Sequence, residues 1–286
     1  MKFADKIVST LQSLGASFAT LLKVVLLSRK PSGGNSCKDM DRRKKLIILA
    51  NGPSLRKVLD EDASILSKHD LLTVNFMPLT SDFHAIKPCM HVLADGLFFA
   101  KEKQGNVREL WEALAKVDWE MTLWIPVGKG DKDIISLPEC VTVKYFNLTP
   151  AEGLPSLTHK LFDLGLAMPR PRNVLIPSIM IGIREGYKDI YLCGADHSWS
   201  RTLWVDEDNL VVTVQPHFYK DNEKEHKRVE SLYKNIRLHE IFRSFSIAFR
   251  SYWDIKRYAE RKGVRIINAT PGSYIDAFPR SKLESI

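Results

Sequence analysis

The sequence predicts an α/β fold: a mainly parallel sheet covered by helices. Short continuous apolar runs such as Leu46–Ala50 and Ile190–Cys193 alternate with longer stretches of helical spacing, the pattern of strands buried on both faces and joined by helical crossovers. Several of these runs end in polar residues followed by a turn, as at Asn51-Gly52-Pro53 and Gly194-Ala195-Asp196. In open sheets of this kind the strand carboxyl ends form the ligand-binding rim.

The first thirty residues stand apart. Phe3, Ile7, Leu11, Leu14, Phe18, Leu22 and Val25 recur every three or four residues, while Asp5, Ser9, Thr10, Gln12, Ser13, Ser17 and Thr20 fill the other face. This spacing predicts an amphipathic helix over residues 1–30. Lys23 interrupts the apolar run and Ser, Thr and Gln dilute it, so the helix suits a membrane interface better than a span. Basic residues beyond it, Arg29, Lys30, Lys38 and Arg42 to Lys45, favour an anionic leaflet. The alternative is a helix packed on a partner subunit or on its own domain. No small-residue cleavage site closes the segment, which argues against a signal peptide.

Residues 31–42, rich in Gly, Ser and Asn, read as a linker. The domain then runs over 43–286. Strands are predicted at Leu46–Ala50, Leu71–Asn75, Met90–Ala94, Met121–Ile125, Val141–Phe146, Asp189–Cys193 and Val264–Ile267, with helices after Ser54, at Val107–Lys116, Ser178–Glu185 and Ile247–Lys262. A lid is expected around 197–245.

With 286 residues, 44% hydrophobic and 27% charged, the chain can bury a full core. The net charge of +8 suits anionic partners such as a nucleotide or a membrane surface, although part of it is solvated surface. Cys37, Cys89, Cys140 and Cys193 show no Cys-x-x-Cys spacing, which favours a reduced cytoplasmic setting over a zinc site or disulfide framework.

The turn Asn51-Gly52-Pro53-Ser54-Leu55 is the most informative stretch. Gly52 permits a bend, Pro53 fixes its own φ and Ser54 can cap the following helix. Free N–H groups at such a turn would hold an anion, so the expectation is a nucleotide-phosphate site, with an ordinary strand-to-helix turn as the alternative. It lacks the Gly-Lys-Ser/Thr ending of a P-loop and the Gly-x-Gly-x-x-Gly of dinucleotide folds. Asn51, Asn75, Asp95, Gly194, Asp196 and Asn268 all stand at predicted strand ends, so they can converge on one rim.

Ile48 to Leu55, the later Val74-Asn75-Phe76 and the segment Gly186 to Asp196 together resemble the bacterial family 42 sialyltransferases. They also resemble the wider superfamily that contains the archaeal 6-hydroxymethylpterin diphosphokinases. The resemblance covers roughly residues 45–280. It implies a Rossmann-like domain with a small lid, a CMP-sugar donor, inversion at the anomeric carbon and no obligatory metal. By the same analogy Asn51, Gly52 and Pro53 contact the nucleotide, Asn75 positions the donor, Ser178 matches a family Ser, and a His in the lid serves as base. Asp95 stands where those enzymes carry Asn, which leaves the donor sugar open, and a carboxylate receiving a helix N–H is its plainer reading.

A base of this kind suits His because its ordinary pKa is near neutrality. Three candidates follow Asp196: His217 in an aromatic loop, His226 in a charged helix-like run, and His197. His217 is preferred, and Tyr219 would brace donor phosphates as lid tyrosines of that family do. Asp206-Glu207-Asp208 has a metal-binding form but reads better as an exposed acidic turn, and the aromatics between Lys220 and Arg265 read as core rather than as an RNA surface.

The reading is therefore a nucleotide-sugar-dependent glycosyltransferase that moves a sugar to a glycan or lipid-linked acceptor in surface polysaccharide synthesis. It would lie peripherally on the inner face of the bacterial cytoplasmic membrane, with no nucleic acid, no obligatory cofactor, room for Mg and room for a homo-oligomer. The alternatives are an ATP-dependent pyrophosphokinase, for which Asp95 and Asp196 would hold the metal, and a non-catalytic nucleotide-binding module.

Overall fold

The structure, a computed structural model, describes residues 3–30, 45–100, 106–129, 136–212, 218 and 236–285. Chain order runs α1 (Phe3–Leu27), β1 (Leu46–Leu49), α2 (Leu55–Glu61), α3 (Ala63–Leu66), β2 (Asp70–Val74), α4 (Ser81–Ile86), β3 (Met90–Val92), α5 (Val107–Leu114), β4 (Met121–Pro126), β5 (Val141–Phe146), α6 (Pro155–Asp163) and α7 (Leu175–Arg184). It continues through β6 (Asp189–Cys193), the short strands β7 (Trp204–Val205) and β8 (Val211–Val212), α8 (Leu238–Arg261) and β9 (Arg265–Asn268).

Seven strands form one sheet in the order β5-β4-β3-β2-β1-β6-β9, and every pairing in it is parallel. From β1 the chain winds outward to β5, then returns to place β6 on the other side of β1. The order therefore reverses between β1 and β6, which opens a crevice at their carboxyl ends.

Leu46, Ile47, Ile48 and Leu49 are all fully buried, as a central strand covered on both faces requires. Leu46 and Ile48 share a core with Ile176, Ile179 and Ile183 of α7 and Tyr252, Ile255 and Tyr258 of α8. Ile47 and Leu49 face Leu55 and Val58 of α2 and Leu110 and Trp111 of α5. Complete burial of each such side chain contributes roughly 1.5–3 kcal/mol. Gly182 lets α7 approach closely, since a Cβ there would stand 2.6 Å from Leu46 Cδ2.

Several boundaries differ from the sequence expectation. α8 begins at Leu238, nine residues before the predicted Ile247, and its first turn is held by Glu240, whose carboxylate accepts from Arg237 N–H at 2.9 Å. α6 follows the loop at Gly153 and was not predicted; Pro155 opens it, where a missing N–H costs nothing. Ser54 does not cap α2: its side chain makes no cap hydrogen bond.

The carboxyl-terminal half of α1 packs on its own domain, through Ser17 and Thr20 of its polar face with Val24 against the core. Thr20 is fully buried and Ser17 nearly so. Leu154 N–H donates to Ser17 Oγ at 2.9 Å, and Ser28 Oγ donates to Leu166 O at 2.7 Å. Arg29 N–H donates to Asn147 Oδ1 while Asn147 Nδ2 donates back to Arg29 O. Gly153, at φ +119°, passes so close that a Cβ would stand 2.6 Å from Ser17 N. The apolar face looks outward: Leu11, Phe18 and Val25 are 62, 66 and 79% exposed, and Ile7, Leu14, Leu21, Leu22 and Leu26 are exposed with them.

Candidate active site

A cavity of about 690 Å³ occupies the β1–β6 crevice. Asn51, Gly52 and Pro53 line it from the end of β1, Asn75 from β2, Asp95 from β3, and Gly194 and Asp196 from β6. Leu148, Arg172, Asn173, His197, Trp199 and Arg201 also line it. Strand ends separated by more than a hundred residues in sequence thus share one cavity.

The turn after β1 is built differently from a phosphate cradle. Gly52 N–H donates to Gly194 O at 2.8 Å and Leu55 N–H to Gly52 O at 3.0 Å. Ser54 gives both its N–H, at 3.4 Å, and its hydroxyl, at 2.8 Å, to Asp196 Oδ2. Those N–H groups are committed within the protein, and a carboxylate already stands among them. The expectation of free N–H groups at this turn is corrected accordingly. Gly52 is required by close approach rather than by a bend, because a Cβ would stand 2.0 Å from Asp196 Oδ2 and 2.4 Å from Gly194 O. Gly194 has φ +66°, and a Cβ there would meet Ala50 O at 2.2 Å.

Three amides at the cavity carry a buried atom without a hydrogen-bond partner among the described residues: Asn51 Oδ1, Asn75 Oδ1 and Asn173 Nδ2. Asn51 Nδ2 donates to Val74 O at 3.2 Å, so its amide is oriented with the oxygen left over. Leaving such a group unpaired costs about 1–3 kcal/mol, which an occupant of the cavity would offset. Asn75 and His197 also hold φ of +52° and +50°, a region costly for residues other than glycine and concentrated at functional sites. Beneath Asn75, fully buried His91 fixes its backbone: His91 Nε2 lies 3.1 Å from Asn75 O and Nδ1 lies 2.8 Å from Thr73 Oγ1. The carbonyl can only accept, so Nε2 carries the proton. Burial pushes the His91 pKa down to about 3.

The remaining expected residues are placed as follows. Asp95 lines the cavity and also accepts from Leu97 N–H at 2.9 Å. Ser178 lies in the middle of α7, fully buried and outside the cavity lining, with its hydroxyl donating to Val174 O at 2.8 Å. Asn268 is buried and bonds to Ile275 O at 3.1 Å rather than reaching the rim. His217, Tyr219 and His226 lie outside the described residues; Phe218 N–H donates to Asn51 O at 3.1 Å. Asp206 forms the β7–β8 turn, where its Oδ1 accepts from Asp208 and Leu210 N–H. No group of three metal-ligating side chains occurs among the described residues.

Comparison with known proteins adds little to this geometry. No family model matches the chain, and no curated protein matches it. A solved structure is similar. It is that of the MAf glycosyltransferase from Magnetospirillum magneticum AMB-1, at 13% identity and a TM-score of 0.48. The match covers 95% of this chain and 39% of the other, so the chain spans well under half that protein's length. A likeness this distant does not bear on chemistry, and the family 42 resemblance stays with the motifs that carry it.

Sequence reasoning did not single out Arg172, Asn173, Trp199 or Arg201. They sit in irregular segments without periodicity. Arg201 donates to Tyr274 OH at 2.7 Å, and neither it nor Arg172 forms an ion pair with a carboxylate among the described residues. Two cations at a cavity without carboxylate partners suit a phosphate-bearing ligand.

Proposed function

We propose that this protein is a glycosyltransferase that takes a sugar from a nucleotide-linked donor, CMP-linked by the motif resemblance, and passes it to a lipid-linked or glycan acceptor. The observation that carries the reading is the set of unpartnered amide atoms, Asn51 Oδ1, Asn75 Oδ1 and Asn173 Nδ2, around one cavity at the β1–β6 reversal. Two acceptors and a donor match the hydroxyls and ring nitrogens of a nucleotide sugar. Arg172 and Arg201 would meet its phosphate, the task the β1 turn cannot perform with its N–H groups committed. His217 remains the proposed base, taking the proton of the attacking hydroxyl as the anomeric bond to phosphate breaks.

The proposal includes work at the inner face of the cytoplasmic membrane as a peripheral protein. The support is α1, whose residues Ile7–Leu27 form one helix long and apolar enough to cross a membrane by length and composition. Ser17 and Thr20 of its polar stripe are occupied by the domain, so its outward apolar face would lie in the interface rather than span it. Lys23, Arg29 and Lys30 would meet anionic headgroups. The loop 147–154 that receives α1 also contributes Leu148 to the cavity, which supports a site that would work near the membrane on a lipid-linked acceptor.

Asp95 and Asp196 at the same cavity support a second reading, magnesium-dependent pyrophosphate transfer from ATP. Thermal-shift measurements with CMP, UDP, GDP and ATP, each with and without magnesium, separate the two. Stabilisation by CMP without metal supports the transferase; stabilisation by ATP with magnesium alone sinks it.

A further inference from the structure

His197 belongs to a hydrogen-bonded chain whose proton positions can be assigned from one fixed donor. Leu175 N–H, which can only donate, lies 3.0 Å from one side-chain atom of Asn173. That atom is therefore the oxygen, and the amide orientation is settled. Tyr252 OH lies 3.1 Å from the same oxygen. An amide oxygen cannot donate, so the single hydroxyl proton of Tyr252 points to Asn173. His197 Nε2 stands 2.6 Å from the Tyr252 oxygen, and with the hydroxyl proton already committed it must supply the proton of that bond. His197 is thereby the Nε2–H tautomer, and Nδ1 keeps its lone pair.

The chain is protected against change of protonation. Burial raises the Tyr252 pKa far above that of an ordinary phenol, so the hydroxyl proton stays. Burial pushes the His197 pKa down to about 3, with Trp199 stacked 4.2 Å away and Phe249 beside it. The relay has two loose ends. Among the described residues Asn173 Nδ2, a donor, is buried without a partner, and His197 Nδ1, an acceptor, has none either. Both residues line the cavity.

We propose that Asn173, Tyr252 and His197 form a fixed relay that reads hydroxyl groups of a sugar ring, one hydroxyl donating to His197 Nδ1 and one accepting from Asn173 Nδ2. A hydroxyl is the common group that does both, and the left-handed backbone of His197 holds the acceptor end in place. The relay itself is independent of the transferase reading; only the assignment of the ring to the donor or acceptor sugar rests on it. A nucleotide ribose offers the same chemistry, and the experiment distinguishes the two sources.

The test uses the full chain with ¹⁵N-labelled histidine, the His197 resonances identified by their loss in His197→Gln. The expected spectrum shows a protonated Nε2 and a bare Nδ1, unchanged from pH 8 to pH 5. Tyr252→Phe removes one buried oxygen and should turn this into a mixture of tautomers. Asn173→Asp keeps both accepted bonds and replaces only the donor end. Methyl glycosides of glucose, galactose, mannose and N-acetylglucosamine are then screened by saturation transfer, alongside CMP and its 2′,3′-dideoxy analogue by calorimetry.

Glycoside signals that vanish in both variants assign the relay to a sugar ring. Loss in both variants of the discrimination between CMP and its dideoxy analogue assigns it to the ribose and overturns the sugar assignment. A His197 protonated on Nδ1, a ring titrating between pH 5 and 8, or variants that bind every probe as the parent does would overturn the relay. Loss of all nucleotide binding with glycoside binding intact would remove the transferase reading and leave the relay standing.

Discussion

Thr20 and Glu152 exchange two hydrogen bonds across 132 residues of sequence: Thr20 Oγ1 donates to Glu152 O at 2.8 Å and accepts from Glu152 N–H at 2.9 Å. One hydroxyl on α1 thus does what a neighbouring strand would do for that residue's backbone. It is the centre of an arrangement in which Ser17 and Thr20 of the polar stripe are buried against the domain while Asp5, Ser9, Thr10 and Gln12 and the apolar stripe stay exposed.

Thr20→Val keeps the shape and removes both bonds, leaving a buried N–H and carbonyl unpaired. The expected cost is about 1–3 kcal/mol, read as a lower melting temperature and faster proteolytic cleavage within residues 1–30. Gly153→Ala should act in the same direction, because its φ of +119° and its approach to Ser17 leave no room for a Cβ. Unchanged proteolysis in both variants would show that α1 is not held by this face.

Leu11, Phe18 and Leu22 are 62, 66 and 49% exposed, so replacing all three with Gln should leave the fold and its melting temperature nearly unchanged. The triple variant should no longer float with phosphatidylglycerol-rich vesicles, whereas the parent does. Flotation by the variant equal to the parent's would count against the interfacial role.

Gly52→Ala would place a methyl group 2.0 Å from Asp196 Oδ2. The expected result is loss of the Ser54–Asp196 contact and a fall in stability of about 1–3 kcal/mol, measured by denaturant unfolding. A stability equal to the parent's would mean that the turn yields more readily than its packing indicates.

Stability should fall on acidification because of His91 and His197. Both have folded pKa values near 3, below the ordinary value of about 6.5 expected when unfolded. Above pH 6.5 neither state binds the proton and the contribution is complete. Between pH 6.5 and 3 the unfolded chain binds protons that the folded one refuses, so each group costs up to about 1.4 kcal/mol per pH unit. Unfolding curves at pH 7, 6 and 5 check this: His91→Gln should flatten the dependence, and an unchanged slope would contradict the assignment.

The sheet was legible because β1 and β6 carry continuous apolar runs, Leu46–Leu49 and Ile190–Cys193, whose burial leaves no second solution. The meeting of Asn51, Asn75, Asp95 and Asp196 was also legible, since strand ends share a rim whatever the loops do. The wiring between them was not. Nothing local to Ser54 announces that its hydroxyl serves a carboxylate 142 residues away instead of capping its own helix. Tyr252 reads as one more aromatic in the stripe of α8, and it is fully buried, yet its hydroxyl sets the tautomer of a cavity histidine. Asn173 and Arg172 precede α7 in a segment without periodicity, where only the fold reveals which side of the cavity they reach. For α1 the spacing identified both faces correctly but not which one the domain takes, because hydroxyl contacts to loop backbone carry no hydrophobic signature.

The central claim is that the β1–β6 cavity binds a nucleotide through Asn51, Asn75 and Asn173 and through Arg172 and Arg201, which have no carboxylate partner among the described residues. Calorimetric titration of CMP into the parent, Asn51→Ala and Arg172→Ala tests it directly. CMP should bind the parent without magnesium, and each substitution should weaken binding about tenfold, the loss of roughly one charged or buried hydrogen bond; free Arg172→Ala should melt close to the parent, whereas Asn51→Ala also loses the bond to Val74 O and should melt lower. Equal affinity in all three proteins, or no heat with CMP while ATP and magnesium bind, would contradict it.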